Sequence, residues 1–215
     1  MLFNGREMGC IWFGLVLLAY MLGQIGCSKQ PDQAEVNQYV KEVEARRIMK
    51  DRQFRNGRNS PLTAEQRQNF GQLHYFPVDL KYRVSARYVQ NRSPELFAIQ
   101  TSSGQERVYV RVGRLEFKIN GTSYTLMAYQ DQDEVQKKVE GGHLFVPFTD
   151  ETSGSQSYAG GRYLDIGMPK GESGTVDFNL AYNPYCAYNY RYSCPIPPQE
   201  NHLQVQIPAG EKQFK

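Results

Sequence analysis

From Tyr75 onward, apolar and polar side chains alternate. In "DLKYRVSARYV", Leu80, Tyr82, Val84, Ala86 and Tyr88 share one side of an extended chain, while Lys81, Arg83, Ser85 and Arg87 share the other. That period of two predicts a strand with one face on a core. "RLEFKINGTSYTLMAY" shows the pattern twice around Asn120-Gly121, a dipeptide that accepts the positive φ angles of a type I′ turn, so a tight hairpin is expected there. Further strands are predicted over Leu96 to Thr101, Arg107 to Val112, His143 to Phe148, Arg162 to Ile166, Thr175 to Tyr182 and Leu203 to Ile207. Nine short strands with polar turns predict an all-β fold, an antiparallel sandwich or partly closed barrel. No repeat of propeller or solenoid length is present.

Upstream the period is helical. Val36, Val40 and Val43 recur at helix spacing and Glu42 precedes Arg46 by four, which predicts a charged, weakly amphipathic helix within a tether over 28–60. A second short helix is expected in "SPLTAEQRQNFG". Ser60-Pro61 or Thr63 supplies its N-terminal cap, with Gln66 three residues after Thr63 and Gly71 as the stop. The all-β domain itself is expected over 61–215.

"CIWFGLVLLAYMLGQIGC", Cys10 to Cys27, contains no charged residue. Its apolar centre has the length of a secretory core and is short for a ~30 Å hydrocarbon layer. The end of the run, Gln24-Ile25-Gly26-Cys27, resembles the bacterial lipobox, with Gln24 where that motif carries leucine. Residues 1–27 therefore read as a targeting segment with Cys27 as the lipidation candidate. The alternative is an uncleaved signal anchor. Both place the remainder outside the cytoplasm, tethered to a membrane in the cell envelope.

Composition adds little beyond this. The chain has 215 residues, 40% hydrophobic and 22% charged, with 25 basic and 22 acidic side chains and a formal net charge of +3. Lacking a single-sign block, it offers no nucleic-acid footprint.

One stretch stands apart: "DFNLAYNPYCAYNYRYSCPIPPQEN", 177–201, is dense in tyrosine, proline, asparagine and cysteine. Its strand parity points Asp177 and Asn179 together toward solvent or a groove, and Asn183-Pro184 ends the strand. Together with "FTDETSGSQSYAGGRYLDI", "IPAGEK" and the earlier "DRQFRNGRNSPL" and "HYFPVDLKYRV", this run resembles the prokaryotic domain of unknown function 1684 (DUF1684) family, over about Lys50 to Lys212. The resemblance carries no established activity. It implies domain extent and marks Arg162, Tyr163, Asp177, Asn179, Asn183, Cys186, Cys194, Glu200 and Asn201 as motif positions. Where the family motif commonly reads Asn-Arg-Leu, this chain has Asn201-His202-Leu203.

Three chemistries compete for the cysteines. In an oxidising compartment, a Cys186–Cys194 disulfide would constrain the unfolded chain by roughly 2 to 3 kcal/mol. Two buried free thiols are the second reading. Zinc on Cys186, Cys194 and His202 is the third, although the spacing is unlike the usual close pair and only His143 offers a fourth ligand. A papain-like nucleophile lacks a recognised base, since His74, His143 and His202 stand in no catalytic motif. Asp165 and Asp177 would make an acid/base pair if adjacent. Arg162 shares parity with Leu164 and Ile166, so it is expected to be partly buried and answered by Asp177 or Glu200. "GGRYL" lacks the pattern of a phosphate loop.

The sequence thus predicts a membrane-tethered envelope protein with a binding or structural role and no cofactor, whose aromatic loop suits a sugar, peptide or envelope polymer. The alternative is an extracytoplasmic hydrolase using Arg162, Asp177 and the Tyr182 to Cys194 loop.

Overall fold

The computed structural model describes residues 32–136 and 142–214. The targeting segment and Cys27 lie outside them. Among the described residues no helix is long and apolar enough to cross a membrane.

The first element is helix α1, Gln33–Asn56. It turns one stripe inward, with Val43 and Phe54 buried, and belongs to the compact unit Gln33–Lys215. Polar contacts continue the stripe: the Arg47 guanidinium donates to the Phe76 carbonyl at 3.0 Å, and the Leu73 amide donates to Asp51 at 2.9 Å. Glu42 accepts from Gln38 at 2.9 Å. Helix α2, Ala64–Asn69, opens on Thr63, whose hydroxyl accepts from the Gln66 amide while the Gln66 side chain accepts from the Thr63 amide. This reciprocal capping box satisfies two otherwise orphaned donors.

The sheet comprises β1 (Arg83–Gln100), β2 (Glu106–Ile119), β3 (Thr122–Asp131), β4 (His143–Asp150), β5 (Arg162–Gly167), β6 (Ser173–Asp177) and β7 (His202–Leu203). Helix α3, Gln132–Gln136, follows β3. The strand order is β5-β4-β3-β2-β1-β6, with β7 joined to β4 in parallel. The remaining pairs are antiparallel. The sheet curls into a half-barrel, so the all-β expectation holds.

The division into strands differs from the expected one. Two expected strands merge into the 18-residue β1, whose register against β2 shifts between Gln90 and Glu95, around Pro94. Two more merge into β2, which carries a shift between Arg111 and Gly113. A bulge absorbs residues that break alternation without ending the strand. The β2–β3 hairpin turns on Asn120 at φ 50° and Gly121 at φ 83°, as its sequence predicts.

Inside the curl lie Leu115, Leu126, Leu144, Val146, Phe148, Val176 and Phe178, all fully buried. A second apolar patch, Ile99, Tyr109 and Tyr129 with Phe97, Met127 and Phe145 against them, covers the opposite face. The two patches follow from the strand period, since each strand sends alternate residues to opposite faces. The second face supports the candidate site.

Candidate functional site

Most of the polar residues singled out by sequence prove to be anchors. Arg162 begins β5 with its side chain fully buried on the core side, after Gly161 at φ +84°, where an added Cβ would lie 2.6 Å from the Phe148 carbonyl oxygen. Its guanidinium meets Asp150 at 3.0 Å and donates to the carbonyls of Ile207 at 2.9 Å and of Ala209. Asp177 and Glu200, its expected partners, are elsewhere. Asp150 is as deeply buried and also accepts from the Ile207 amide at 2.8 Å and the Thr152 hydroxyl at 2.8 Å. Burial lowers the Arg162 pKa from its usual range while Asp150 opposes that shift. Such a pair ties the end of the chain to the sheet.

The asparagines act on backbone. Asn179 accepts from the Asp79 amide and donates to the Asp79 carbonyl, both at 2.9 Å. Asn201 does the same to Met127, at 2.7 and 2.9 Å, and donates to the Pro147 carbonyl at 2.8 Å. Pro147 has no N–H to offer its neighbour; β3 and β4 pair only at Tyr129–Phe145, and Asn201 bridges the gap beyond. Asn183 donates its side chain to the Lys212 carbonyl at 2.8 Å and its amide to Glu211 at 2.9 Å.

Asp177 and Asn179 do not point into a groove together. The strand ends at Asp177, which caps a 3-10 turn over Phe178–Leu180 by accepting from the Asn179 amide, and the turn breaks the alternation that placed them side by side. Asp177 accepts from the Tyr39 hydroxyl of α1 at 2.8 Å and lies 3.8 Å from Arg83. Glu200 meets Arg111 and the Tyr129 hydroxyl, each at 2.6 Å. Sequence reasoning missed Glu211, which is buried and joined to Lys50 of α1, the Tyr188 hydroxyl and the Asn183 amide. Its place within the "IPAGEK" block was the available signal.

The second face of the sheet is different. Glu95, Arg111, Tyr129, Phe145 and Asp165 stand opposite one another across β1 to β5. Rings thicken this row: Phe97 stacks on Tyr129 at 5.5 Å between centroids, Tyr109 on Phe145 at 5.2 Å, and Tyr163 meets Phe145 edge-on at 4.9 Å. Tyr163 is held there by donating its hydroxyl to the Pro195 carbonyl and by backbone pairing with Tyr182. Burial raises the pKa of both tyrosines, so their hydroxyls stay protonated.

Between this face, α1 and the aromatic loop lies a cleft of about 640 Å³. Phe54, Tyr109, Phe145, Tyr163, Tyr182, Tyr185 and Tyr192 line it together with Arg46, Lys50, Arg107, Asp165 and Cys194. A hollow of about 320 Å³ shares its Tyr109, Phe145 and Asp165 walls and reaches His143 and Asp131. Asp165 accepts from the Tyr182 hydroxyl at 2.8 Å. Of the loop tyrosines, Tyr188 is buried whereas Tyr185, Tyr190 and Tyr192 are exposed. Of the candidate residues, Tyr163, Asp165 and Cys194 line the cleft together with Tyr182, Tyr185 and Tyr192 of the loop; Arg162, Asp177 and Cys186 do not.

Cys186 and Cys194 are free thiols in this structure, in contact through the Cys186 amide, which donates to Cys194 Sγ at 3.1 Å. His202 is turned to Thr149 at 3.0 Å and Glu151 at 3.2 Å. Among the described residues no three His, Cys, Asp or Glu side chains converge as a metal site. Asp165 and Asp177 belong to β5 and β6, at opposite ends of the strand order, and do not share a pocket wall.

The fold has a solved counterpart. The solution NMR structure of an uncharacterized protein from gene locus rrnAC0354 of Haloarcula marismortui aligns with a TM-score of 0.65 and 37% identity, over 84% of this chain and 97% of that one. No curated protein matches the chain. The model of the family described as "Protein of unknown function (DUF1684)" matches residues 68–212, which include the sheet, the aromatic loop and both buried carboxylates. The chain belongs to the DUF1684 family.

Proposed function

We propose that this protein is a non-catalytic binding module of the cell envelope whose aromatic cleft takes an acidic sugar polymer. The observation that carries this reading is the lining: seven aromatic rings, three cations and one carboxylate around a 640 Å³ hollow, within the roughly 300–1,000 Å³ range of ligand sites. Tyrosine suits a sugar because its ring packs on the C–H face while its hydroxyl remains hydrogen-bonded. Arg46 and Arg107 favour a carboxylate-bearing ligand, since among the described residues neither has a carboxylate partner. An N-terminal tether, through lipid on Cys27 or an uncleaved signal anchor, would hold the module at the membrane. Loss of fatty-acid labelling in Cys27→Ser distinguishes the two.

The hydrolase alternative has less support, because Arg162 and Asp177 are engaged away from the cleft. Calorimetric titration with oligogalacturonate, and with a neutral malto-oligosaccharide as control, tests the binding reading. The acidic sugar is expected to bind more tightly, and Tyr185→Ala to weaken it by about tenfold, the loss of one ring contact. Equal binding of both sugars, absence of binding, or an unaffected Tyr185→Ala variant would contradict it. Release of shortened sugars would favour the hydrolase.

A further inference from the structure

The aromatic loop carries a second constellation, adjoining the cleft that Cys194 lines. Cys186 lies on the 3-10 turn Tyr185–Ala187, and Cys194 precedes Pro195, where the loop runs beside the β1–β2 turn: the Ser102 amide donates to the Cys194 carbonyl at 2.9 Å, and the Cys194 amide donates to the Ser102 hydroxyl at 3.1 Å. The Cys186 amide donates to Cys194 Sγ at 3.1 Å, which brings the two residues into contact. The Tyr158 hydroxyl stands 3.7 Å from Cys186 Sγ. Cys194 is buried and Cys186 only partly so. One thiol is therefore half-buried beside a tyrosine hydroxyl, and the other is buried against its partner's backbone amide. We propose that Cys186 and Cys194 form a thiol–disulfide exchange pair, Cys186 attacking a low-molecular-weight disulfide and Cys194 resolving the product.

Donors at Cys186 stabilise its thiolate. The Cys194 thiol, with Tyr158 and Ser102, pushes its pKa down to about 6 against the effect of burial. Cys194, giving its hydrogen bond to Cys186 and itself buried, is pushed up. The other groups facing the pair are Tyr163 of β5 and, on the Cys194 side, Arg107 of β2.

The reaction balances. The Cys186 thiolate attacks one sulfur of R–S–S–R′; that S–S bond breaks, and RS⁻ leaves and takes a proton as RSH. Cys194 gives its proton to solvent and attacks Cys186 Sγ, and the mixed disulfide breaks to release R′S⁻, which is protonated. Two electrons pass from the protein thiols to the external disulfide. The products are one internal bond and two small thiols.

The test uses the full chain, whose four cysteines are resolved by peptide mass mapping after exposure to oxidised glutathione. The native chain is expected to acquire the Cys186–Cys194 bond. Cys194→Ser is expected to trap glutathione on Cys186 at least ten times faster than Cys186→Ser traps it on Cys194. A comparable rate at the two sulfurs, a faster one at Cys194, or no internal bond in the native chain would overturn the proposal. Iodoacetamide labelling of the unmutated protein gives a second readout. Cys186 reactivity should rise with a midpoint below that of an ordinary thiol, and a midpoint at or above the ordinary value of about 8.5 would overturn it.

Discussion

Asn179 and Asn201 use one chemistry: a side-chain amide presents an acceptor and a donor side by side, so it can stand in for a strand where the ladder is missing. Each pairs with both polar groups of one residue, Asp79 or Met127. Their motif positions were legible in the sequence, but this role was not, because the partners lie 100 and 74 residues away. Arg162 was closer to recoverable. Its parity placed it on the core side, and Asp150 lies two residues beyond Phe148, the residue opposite Arg162 across the β4–β5 pair. Asp150 therefore shares that side of the hairpin. Removing it leaves a buried guanidinium without its counter-charge, and Asp150→Ala is expected to cost about 3–5 kcal/mol. Asp177→Ala, at a partly exposed carboxylate bonded to Tyr39, is expected to cost about 1 kcal/mol. Urea unfolding midpoints at constant slope measure both; equal losses would contradict the anchoring role of Asp150.

At the level of elements, alternation gave the strands' existence and facing but not their ends. Pro94 and Gly113 fall between segments expected as separate strands, yet each lies within or beside a register shift in a continuing strand. Conversely, Phe178–Leu180 kept the alternating pattern but forms a 3-10 turn because Asp177 caps it, a local hydrogen bond that competes with the ladder. Capping chemistry was legible wherever it was local, as at Thr63 and Gln66. The Asn120-Gly121 hairpin affords a clean measurement. A Cβ added at Gly121 meets nothing within 4 Å, yet φ is +83°, so any cost of Gly121→Val comes from backbone conformation alone. That cost is expected to be about 1–3 kcal/mol. A thermal melt unchanged by the substitution would contradict the type I′ turn and the β2–β3 register it sets.

Taken as a whole molecule, the cleft draws its walls from α1, β2, β4, β5 and the loop that follows Tyr182. These segments are far apart in sequence, and only the tyrosine-rich loop announced itself by composition. Arg46 read as part of a charged tether helix, Tyr109 and Phe145 read as ordinary strand residues, and Tyr163 was marked only as a motif position. The signal was a second apolar parity: on β2 to β5 the nominally outward residues include large rings, which a sheet with one solvated face does not need. That face, partly covered by the loop and partly open, is the basis of the binding proposal. Its most direct measurement is a backbone-amide NMR titration of the protein with oligogalacturonate. Shifts that saturate together and cluster at Arg46, Arg107, Tyr109, Asp165, Tyr185 and Tyr192 are the expected result; shifts scattered over the surface, or concentrated on α2 and the C-terminal residues, would contradict it.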